Sequence, residues 1–340
     1  CALEDLAVGD VLVTLPRKAC MDLATLTSVP ADEALVSHAC WLSLPWFGKL
    51  ALWILSEERR DNSKWGAYVD LLPLEGRGLD TPLHWDPREV AALGYPFLEA
   101  SVDEQRRLFA DMHAAVQASA PGSPVTLPQL TCAIEAVLSR AFPTGGLADR
   151  SAPSGPLGFR LGPEPKRLVP PSEAYAMLPA VDAINHRSGA ATVFGFNERD
   201  ETIELRCGVA FRKGEEVTIT YGQKSNDELL QLYGFVESEN PFDEYSTAGL
   251  AAWLRAEHAP CRALEEGEWG RRLALLEAEG LVEDLEGGHV SSKGAAPGTV
   301  SGLRLLTAPG EPGPELLAPL GPQPAGEDAA AYAALAAFCR

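Results

Sequence analysis

The segment VDAINHRSGA, residues 181–190, places an acid, an amide and one of the chain's six histidines in a run that is otherwise typical of a buried segment. Asp182 and His186 are four residues apart, so on a helix they would share one face, as half of a metal site requires. No third ligand is evident, and the amide of Asn185 is a poor ligand for a transition metal. A structural polar cluster explains the segment better, and we expect no metal.

Two tyrosines further along the chain could supply phenol groups to one pocket. Residues 202–207 (TIELRC) and 216–221 (EVTITY) alternate apolar and polar side chains, which predicts two strands of a hairpin. Tyr221 ends the second strand, and the helix predicted after it ends at Tyr233. Both phenols can therefore reach one pocket, although two tyrosines alone are more often core rings whose hydroxyl groups bond to the backbone.

The elements that must position these residues alternate between β-rich and helical segments. Val11, Val13 and Leu15 fall on one face of a half-buried strand near the start of the chain. From about residue 31 to residue 138 the apolar spacing becomes helical. Dense glycine and proline over residues 143–171 then predict a loop.

The C-terminal part of the chain is predicted to be helical. A capping pattern at Ser225 starts a short helix that stops at Gly234. Further helical patterns and an intervening Gly/Pro-rich span follow. The helical patterns cover residues 247–258, 268–285 and 328–339, and the Gly/Pro-rich span covers residues 287–324.

The composition restricts the classes of partner. The chain has 48 acidic against 28 basic residues, a formal net charge of −20. Such a surface repels nucleic-acid phosphates and attracts cationic peptides or lysine-bearing protein surfaces, although acidity is about equally often a solubility feature. We therefore expect no nucleic-acid partner. No apolar run approaches the roughly 20 residues that span a bilayer, so no membrane partner is expected either.

Cysteine usage favours a reducing compartment. The seven cysteines are scattered, with no Cys-x-x-Cys pair and no histidine at metal-site spacing, so neither a disulfide framework nor a zinc cluster is predicted. This leaves chloroplast stroma, cytosol and nucleus open. The chain opens with Cys1 rather than Met inside a strand-like segment, so we expect the natural N-terminus to lie upstream.

Several motifs taken together resemble one family. LPAVDAINHRSG at 178–189, GEEVTITYG at 214–222 and KSNDELLQLYGFVE at 224–237 resemble the C-terminal half of SET-domain protein methyltransferases. The resemblance is to the branch of the Rubisco large-subunit lysine N-methyltransferases and their non-histone relatives. SKWGAYVDLLP at 63–73 is similar to that branch's helical insertion, and LSRAF at 138–142 to its cofactor-contacting element.

The resemblance implies an α+β fold in which a β-rich SET fold is interrupted by a helical insertion and followed by an all-α C-terminal substrate-binding domain. The implied segments are an N-terminal SET half at 1–50, truncated at its start, and an insertion with the Gly/Pro-rich loop at 51–165. The C-terminal SET half follows at 166–240, and the substrate-binding domain, which LRLL at 303–306 resembles, at 241–340.

The resemblance also implies roles for site residues. The cofactor would be S-adenosylmethionine, and the family passes its methyl group to an acceptor that enters from the opposite face through a narrow channel. Tyr221 and Tyr233 resemble the catalytic phenols. The cofactor-binding residues would be Arg140, Asn185, His186, Tyr221 and Phe235. The substrate-binding residues would be Arg140, Asp182, Phe194, Phe196 and Tyr233.

The implied activity is transfer of a methyl group to a neutral lysine amine of a non-histone protein. The resemblance suggests Rubisco large subunit or aldolase as the target, and a monomeric enzyme. Two alternatives stay open, which are a protein-histidine N-methyltransferase of the same fold and a SET-like binding module without catalysis.

Two features depart from the family's pattern. The family has a glycine-rich cofactor turn just before the strand that here begins at Cys1, so the turn is expected upstream. Near Thr144 the family often carries a second, substrate-contacting arginine, and this chain has none there.

Overall fold

The computed structural model describes residues 1–144, 168, 170–197, 199–308 and 329–339. The predicted Gly/Pro-rich loop at 143–171 lies mostly outside the described residues. The chain divides into two compact units. The first unit comprises Cys1–Gly94, Ala100–Gln223 and Asp227–Glu237, and the second comprises Tyr95–Glu99, Lys224–Asn226 and Ser238–Arg340.

The first unit contains two antiparallel sheets of three strands each. Their orders are β1-β6-β5 and β2-β4-β3. The strands are β1 (Val11–Pro16), β2 (Met21–Asp22), β3 (Ala141–Pro143), β4 (Tyr175–Met177), β5 (Thr192–Asn197) and β6 (Thr202–Cys207). The alternating apolar residues of β1 and β6 face each other, as expected for paired strands with one buried face. Val13 lies opposite Leu205 and Leu15 lies opposite Ile203, and both β6 residues are in the core.

The predicted hairpin between residues 202–207 and 216–221 is wrong. Strand β6 is paired on one side with β1 and on the other with β5, so neither edge is left for residues 216–221. Ile219 instead forms an isolated parallel bridge with His186. The Ile219 N–H donates to the Asn185 carbonyl oxygen at 3.0 Å, and the Arg187 N–H donates to the Ile219 carbonyl oxygen at 3.0 Å.

Helices occupy most of residues 38–138, as the apolar spacing predicted, although residues 70–86 form turns and irregular backbone. Helix α2 is buried nearly all round and packs against α6, forming the centre of the main core. Helix α6 begins with a capping box between Thr126 and Gln129. The helices are α1 (His38–Ser43), α2 (Trp46–Glu58), α3 (Gly66–Val69), α4 (Pro87–Ala91), α5 (Pro96–Ser119) and α6 (Leu127–Leu138), followed after the sheets by α7 (Asn226–Tyr233).

The segment of Asp182 and His186 does not form the helix that a metal half-site would need. A 3₁₀ turn covers Val181–Ala183 only, and Ile184 is already extended. His186 then lies in the bridge to Ile219. The two side chains therefore do not share a helix face, and the helical spacing considered for them is wrong.

The second unit is mainly helical, as predicted, but the expectation that it is all-α is wrong, because a small antiparallel sheet of three strands accompanies the helices. Its core is formed by apolar residues such as Leu254, Trp269 and Leu303. The predicted helix over 268–285 is divided at Gly280, and a helix occupies part of the predicted Gly/Pro-rich span. The helices are α8 (Leu250–Glu257), α9 (Ala259–Arg262), α10 (Glu266–Ala278), α11 (Val282–Glu286), α12 (Pro297–Thr307) and α13 (Ala329–Phe338). The strands are β7 (Glu244–Ser246), β8 (His289–Ser291) and β9 (Gly294–Ala295).

Within the described ranges, every helix is too short or too polar to cross a bilayer.

Candidate active site

The two tyrosines predicted to share a pocket lie against each other in the first unit. The rings of Tyr221 and Tyr233 stack, with centroids 4.8 Å apart and planes 25° apart. The Tyr221 hydroxyl group donates to the carbonyl oxygen of Ile184 at 2.9 Å. Helix α7 ends at Tyr233, so this helix delivers the second phenol to the first. The local sequence thus brings both phenols together, although residues 216–221 are not a hairpin strand.

Phe235 extends this pair into an aromatic cluster. Its ring centroid is 6.1 Å from that of Tyr233 and 6.5 Å from that of Tyr221, both in edge-on arrangements. The His186 imidazole lies 5.9 Å from Phe235 and 4.9 Å from Tyr221. We call Tyr221, Tyr233, Phe235 and His186 the ring cluster. Such a cluster offers the faces of π-systems to a cationic or apolar group.

His186 fixes the backbone of Tyr221. Its Nδ1 accepts a hydrogen bond from the Tyr221 N–H at 3.0 Å, so in the neutral imidazole the proton is on Nε2. Nε2 lies 3.3 Å from the Ser188 hydroxyl oxygen and 3.7 Å from Glu237 Oε2. Only 1% of the His186 side chain is exposed. The imidazole is therefore held in one orientation from both sides.

Asp182 and Arg140 form the polar side of the site. The buried Asp182 carboxylate accepts a hydrogen bond from the Tyr68 hydroxyl group. A terminal N–H of Arg140 donates to the Asp182 carbonyl oxygen at 2.8 Å. The Arg140 Nε–H is buried and has no hydrogen-bond partner in the part of the chain that the structure describes. A donor left in this way is what a site for an anionic ligand group contains.

Burial keeps the phenols of the site uncharged. Burial raises the pKa of Tyr221, and the nearby positive charge of Arg140 opposes this with a smaller effect. Burial also raises the pKa of Tyr233. Burial likewise raises the pKa of Asp182, although the Tyr68 hydrogen bond and the Arg140 charge oppose it. The hydrogen bond from Ser188 lowers the pKa of Glu237, and this effect outweighs burial, which would raise it.

The described side-chain contacts of the remaining predicted site residues are with residues outside the ring cluster. Asn185 is exposed, and its Nδ2 donates to Glu216 Oε1 at 2.7 Å. On β5, the Phe194 ring lies 5.2 Å from that of Phe142. Phe196 lies 5.7 Å from the Arg17 guanidinium carbon. The contacts described for these two phenylalanines are thus with the sheet region and not with Tyr221 or Tyr233.

Sequence analysis missed two residues of the site. Tyr68, which bonds to Asp182, lies in SKWGAYVDLLP, a segment matched only as an insertion. Glu237, which flanks His186, follows Phe235 by two positions. The polar side chains of Tyr68 and Glu237 are visible in the sequence. The residues around them do not indicate that Tyr68 contacts Asp182 or that Glu237 lies beside His186.

Comparisons with known proteins agree with this fold. No family model matches the chain. SET domain-containing protein 4 of Mus musculus is 27% identical over 239 residues, covering 69% of this chain and 50% of that protein. The chloroplastic ribulose-1,5 bisphosphate carboxylase/oxygenase large subunit N-methyltransferase of Pisum sativum is 26% identical over 265 residues, covering 69% of this chain and 45% of that protein.

A relative with a different acceptor is about as similar. Actin-histidine N-methyltransferase of Callithrix jacchus is 26% identical over 254 residues, covering 71% of this chain and 38% of that protein. The chain thus spans about half the length of the curated relatives it matches, or less.

Solved structures share the fold. The SET domain of Rubisco LSMT bound to lysine and AdoHcy superimposes with a TM-score of 0.58 and 22% identity, covering 93% of this chain and 66% of that one. The structure of Rubisco LSMT bound to AdoMet gives the same TM-score at 21% identity, covering 98% of this chain and 67% of that one.

The fold defines the class of protein, which is the α+β SET fold with a helical insertion and a helical C-terminal unit. The sequence comparisons indicate which proteins of this fold the chain resembles. The chain is similar in sequence to SET-domain methyltransferases, among them the Rubisco large-subunit N-methyltransferase and the fructose-bisphosphate aldolase-lysine N-methyltransferase. The predicted fold class and the predicted family resemblance are both confirmed.

Proposed function

We propose that this chain is an S-adenosylmethionine-dependent protein N-methyltransferase that acts on a lysine of a non-histone protein. The observation that carries the proposal is the ring cluster on a SET fold, with Tyr221 and Tyr233 stacked at 4.8 Å. Two half-buried neutral phenols beside a histidine and a phenylalanine form a wall that suits the apolar stem of a lysine side chain. The solved relatives that hold AdoMet or lysine support this reading.

The cofactor would be bound by residues on the polar side of the site. S-adenosylmethionine supplies an activated methyl group, carried on a sulfonium. Arg140 suits its carboxylate, because the guanidinium donates charge-assisted hydrogen bonds and its Nε–H has no partner within the described residues. Phe235 and His186 offer ring faces for the adenine. Asn185 contributes mainly backbone, since its side chain is bonded to Glu216.

The site residues would favour a neutral, aligned acceptor amine. A free lysine has a pKa near 10.4, so at neutral pH it must lose a proton before it can act as a nucleophile. The apolar faces of Tyr221 and Tyr233 remove water from the amine, which disfavours its charged form. The Tyr221 hydroxyl group is held by the Ile184 carbonyl oxygen, so its own oxygen can accept from the amine. Alignment of this kind contributes several kcal/mol, about 7 to 11 in the most favourable reactions.

A histidine acceptor is the second candidate. It is favoured by one observation, which is that actin-histidine N-methyltransferase is as similar in sequence as the Rubisco large-subunit N-methyltransferase of Pisum sativum, both 26% identical. The two acceptors differ in the modified residue. Peptide mass spectrometry of the labelled product distinguishes methyl-lysine from methyl-histidine.

The Tyr221→Phe variant tests the proposal. Full-length protein is incubated with labelled S-adenosylmethionine and cell or plastid extract, and cofactor binding is measured by calorimetry. We expect kcat to fall roughly 10- to 100-fold, because one hydroxyl hydrogen bond in a buried site contributes about 1–3 kcal/mol. Cofactor affinity should change by less than about tenfold.

Tyr332→Phe is the matched control, since Tyr332 is 46% exposed and lies in the second unit. It should leave kcat unchanged. If the wild type binds the cofactor but labels nothing, and Tyr221→Phe behaves identically, the catalytic proposal fails. If the wild type does not bind the cofactor at all, the binding-module alternative is correct.

A further inference from the structure

A second group of chemically reactive side chains lies in the first unit, away from the ring cluster. Cys132 and Glu135 are one turn apart on α6, so they share a face of that helix. His84 reaches them from the segment before α4. The His84 ring nitrogen, the Cys132 Sγ and a Glu135 carboxylate oxygen all lie within 4.8 Å of one another. Among the described residues, no other three His, Cys, Asp or Glu side chains meet in this way.

We propose that His84, Cys132 and Glu135 form a binding site for one divalent zinc ion. The proposal does not depend on the proposed methyl transfer. Nitrogen, sulfur and carboxylate oxygen are the three donor types that zinc takes in proteins, at roughly 2.0–2.3 Å. Three protein ligands with one position left for water are a common zinc arrangement.

The distances allow an ion to enter with small side-chain movements. Ligand atoms around a tetrahedral zinc ion lie roughly 3.3–3.8 Å apart, from the bond lengths above. His84 Nε2 and Glu135 Oε2 are 2.5 Å apart, joined by a hydrogen bond, so they must separate by about 1 Å. On binding, the proton that Nε2 donates to Glu135 is lost to solvent, and a neutral imidazole keeps its one proton on Nδ1, so that the Nε2 lone pair can coordinate the ion. The Cys132 thiol also loses its proton to solvent.

Surrounding groups orient the ligands. Thr81 is fully buried, and its hydroxyl group donates to Glu135 Oε1 at 2.5 Å, which leaves Oε2 directed towards His84. Second-partner hydrogen bonds of this kind hold a ligand in position for a metal. Gly78 lies beside the thiol, since a side-chain Cβ at this position would lie 3.5 Å from Cys132 Sγ. The His84 side chain is 37% exposed, so an ion and a water ligand have a route from solvent.

The local charges favour a cation. Asp80 interacts with His84, and Glu75 interacts with Cys132, in addition to the charge of Glu135. Arg106 is the opposing cation, and its guanidinium is bonded to backbone carbonyl oxygens of the same segment. Three carboxylates against one guanidinium give a negative local potential.

A simple hydrogen-bonded clip is the competing explanation. In that case Glu135 only accepts from Thr81 and His84, and it links the segment before α4 to α6. Cys132 has no role in such a clip, because its thiol is part of neither hydrogen bond. The dependence of metal binding on Cys132 therefore separates the two explanations.

The test uses the full chain, stripped of metal with a chelator and titrated with Zn²⁺ by calorimetry and with Co²⁺ by absorption spectroscopy. We expect one ion per chain, and with Co²⁺ a near-ultraviolet band from thiolate coordination. Cys132→Ala should remove this band and weaken binding at least tenfold. Thr81→Val removes no metal-ligating atom, and it should weaken binding by about 10- to 100-fold, because the Glu135 carboxylate loses the hydrogen bond that orients it.

Cys261→Ala is the matched control, because Cys261 is also buried in a helix but belongs to the second unit. It should keep the band and the stoichiometry. Circular dichroism establishes that Cys132→Ala is folded, which is expected because the hydrogen bonds of Glu135 do not involve the thiol. The proposal is overturned if wild-type protein binds no ion below about millimolar concentration, or if the cobalt band persists in Cys132→Ala.

Discussion

Single residues of the ring cluster are held by backbone groups and by the half-buried carboxyl group of Glu237. Tyr221 bonds through its hydroxyl group to Ile184 and through its N–H to His186. His186 is in turn flanked by Glu237. Substitution of Glu237 would therefore act on Tyr221 through the imidazole and not by contact.

Asp182→Asn should change how stability depends on pH. Burial raises the pKa of the Asp182 carboxyl group above its ordinary value of 3.8, so the folded state binds this proton more tightly than the unfolded state. The stability that this group contributes is present at low pH and is lost as the pH rises above 3.8. The variant should thus gain unfolding free energy relative to wild type as the pH rises from about 4 to about 7.

Urea unfolding across this pH range measures the difference. Asp111→Asn, at an exposed position of α5, is the control. Other carboxyl groups are common to both proteins and cancel in the comparison. A difference between Asp182→Asn and wild type that is constant with pH, or that shrinks as pH rises, would contradict the expectation.

At the scale of elements, the site depends on how α7 ends. Gly234 follows Tyr233 directly with a φ of +78°, and a Cβ at this position would lie 2.6 Å from the Asp80 carbonyl oxygen. The turn at position 234 therefore requires glycine, because any other residue would place a Cβ against Asp80. This turn brings Phe235 next to Tyr221 at 6.5 Å between ring centroids.

Gly234→Ala should lower the unfolding free energy by about 2–4 kcal/mol, from a left-handed backbone and a clash with Asp80. It should also reduce methyl transfer, because Tyr233 and Phe235 would be displaced. The measurements are urea unfolding and kcat with labelled cofactor.

Gly214→Ala separates the two causes. Gly214 has a φ of +88°, but a Cβ there has no atom within 4 Å. This variant should therefore show only the backbone cost, about 1–2 kcal/mol, with kcat unchanged. Equal losses of stability in the two variants would argue against a close approach between Gly234 and Asp80.

At the scale of the whole molecule, the chain consists of two units, each with a core of its own. The second unit contains a buried guanidinium at its centre. Arg272 is 0% exposed and donates to Glu268 at 2.8 Å and to the carbonyl oxygens of Leu305, Leu306 and Ala308, at the end of α12. These carbonyl groups are among those that a helix end leaves without an intrahelical partner.

Arg272→Leu should destabilise the second unit by about 3 kcal/mol, because several buried acceptors lose their donor at once. Hydrogen exchange should accelerate for amides of α10 and α12. Affinity for S-adenosylmethionine should stay within about twofold of wild type, since the proposed cofactor residues all lie in the first unit. Arg271→Leu, at the exposed neighbouring position, is the control and should alter neither. A large loss of cofactor affinity in Arg272→Leu would contradict this division of roles.

Local sequence determined the elements whose pattern is repeated over several residues. The alternation of residues 202–207 specified β6, and the capping and apolar pattern that ends at Gly234 specified α7. The contact between Tyr221 and Tyr233 was predictable from the strand and helix patterns. The helix begins a few residues after Tyr221, and Tyr233 lies at its end. Periodicity over a short segment is sufficient for such predictions, since it reflects which face is buried.

Only the tertiary structure decided which segments pair and which distant side chains meet. Residues 216–221 alternate as well as β6 does, yet β1 and β5 occupy both edges of that strand, and edge occupancy is not written in a single segment. The strands of the second unit have two or three residues each, too few for a period to show. His84 and Glu135 are 51 positions apart, and their contact exists only because the core of the first unit brings their segments together.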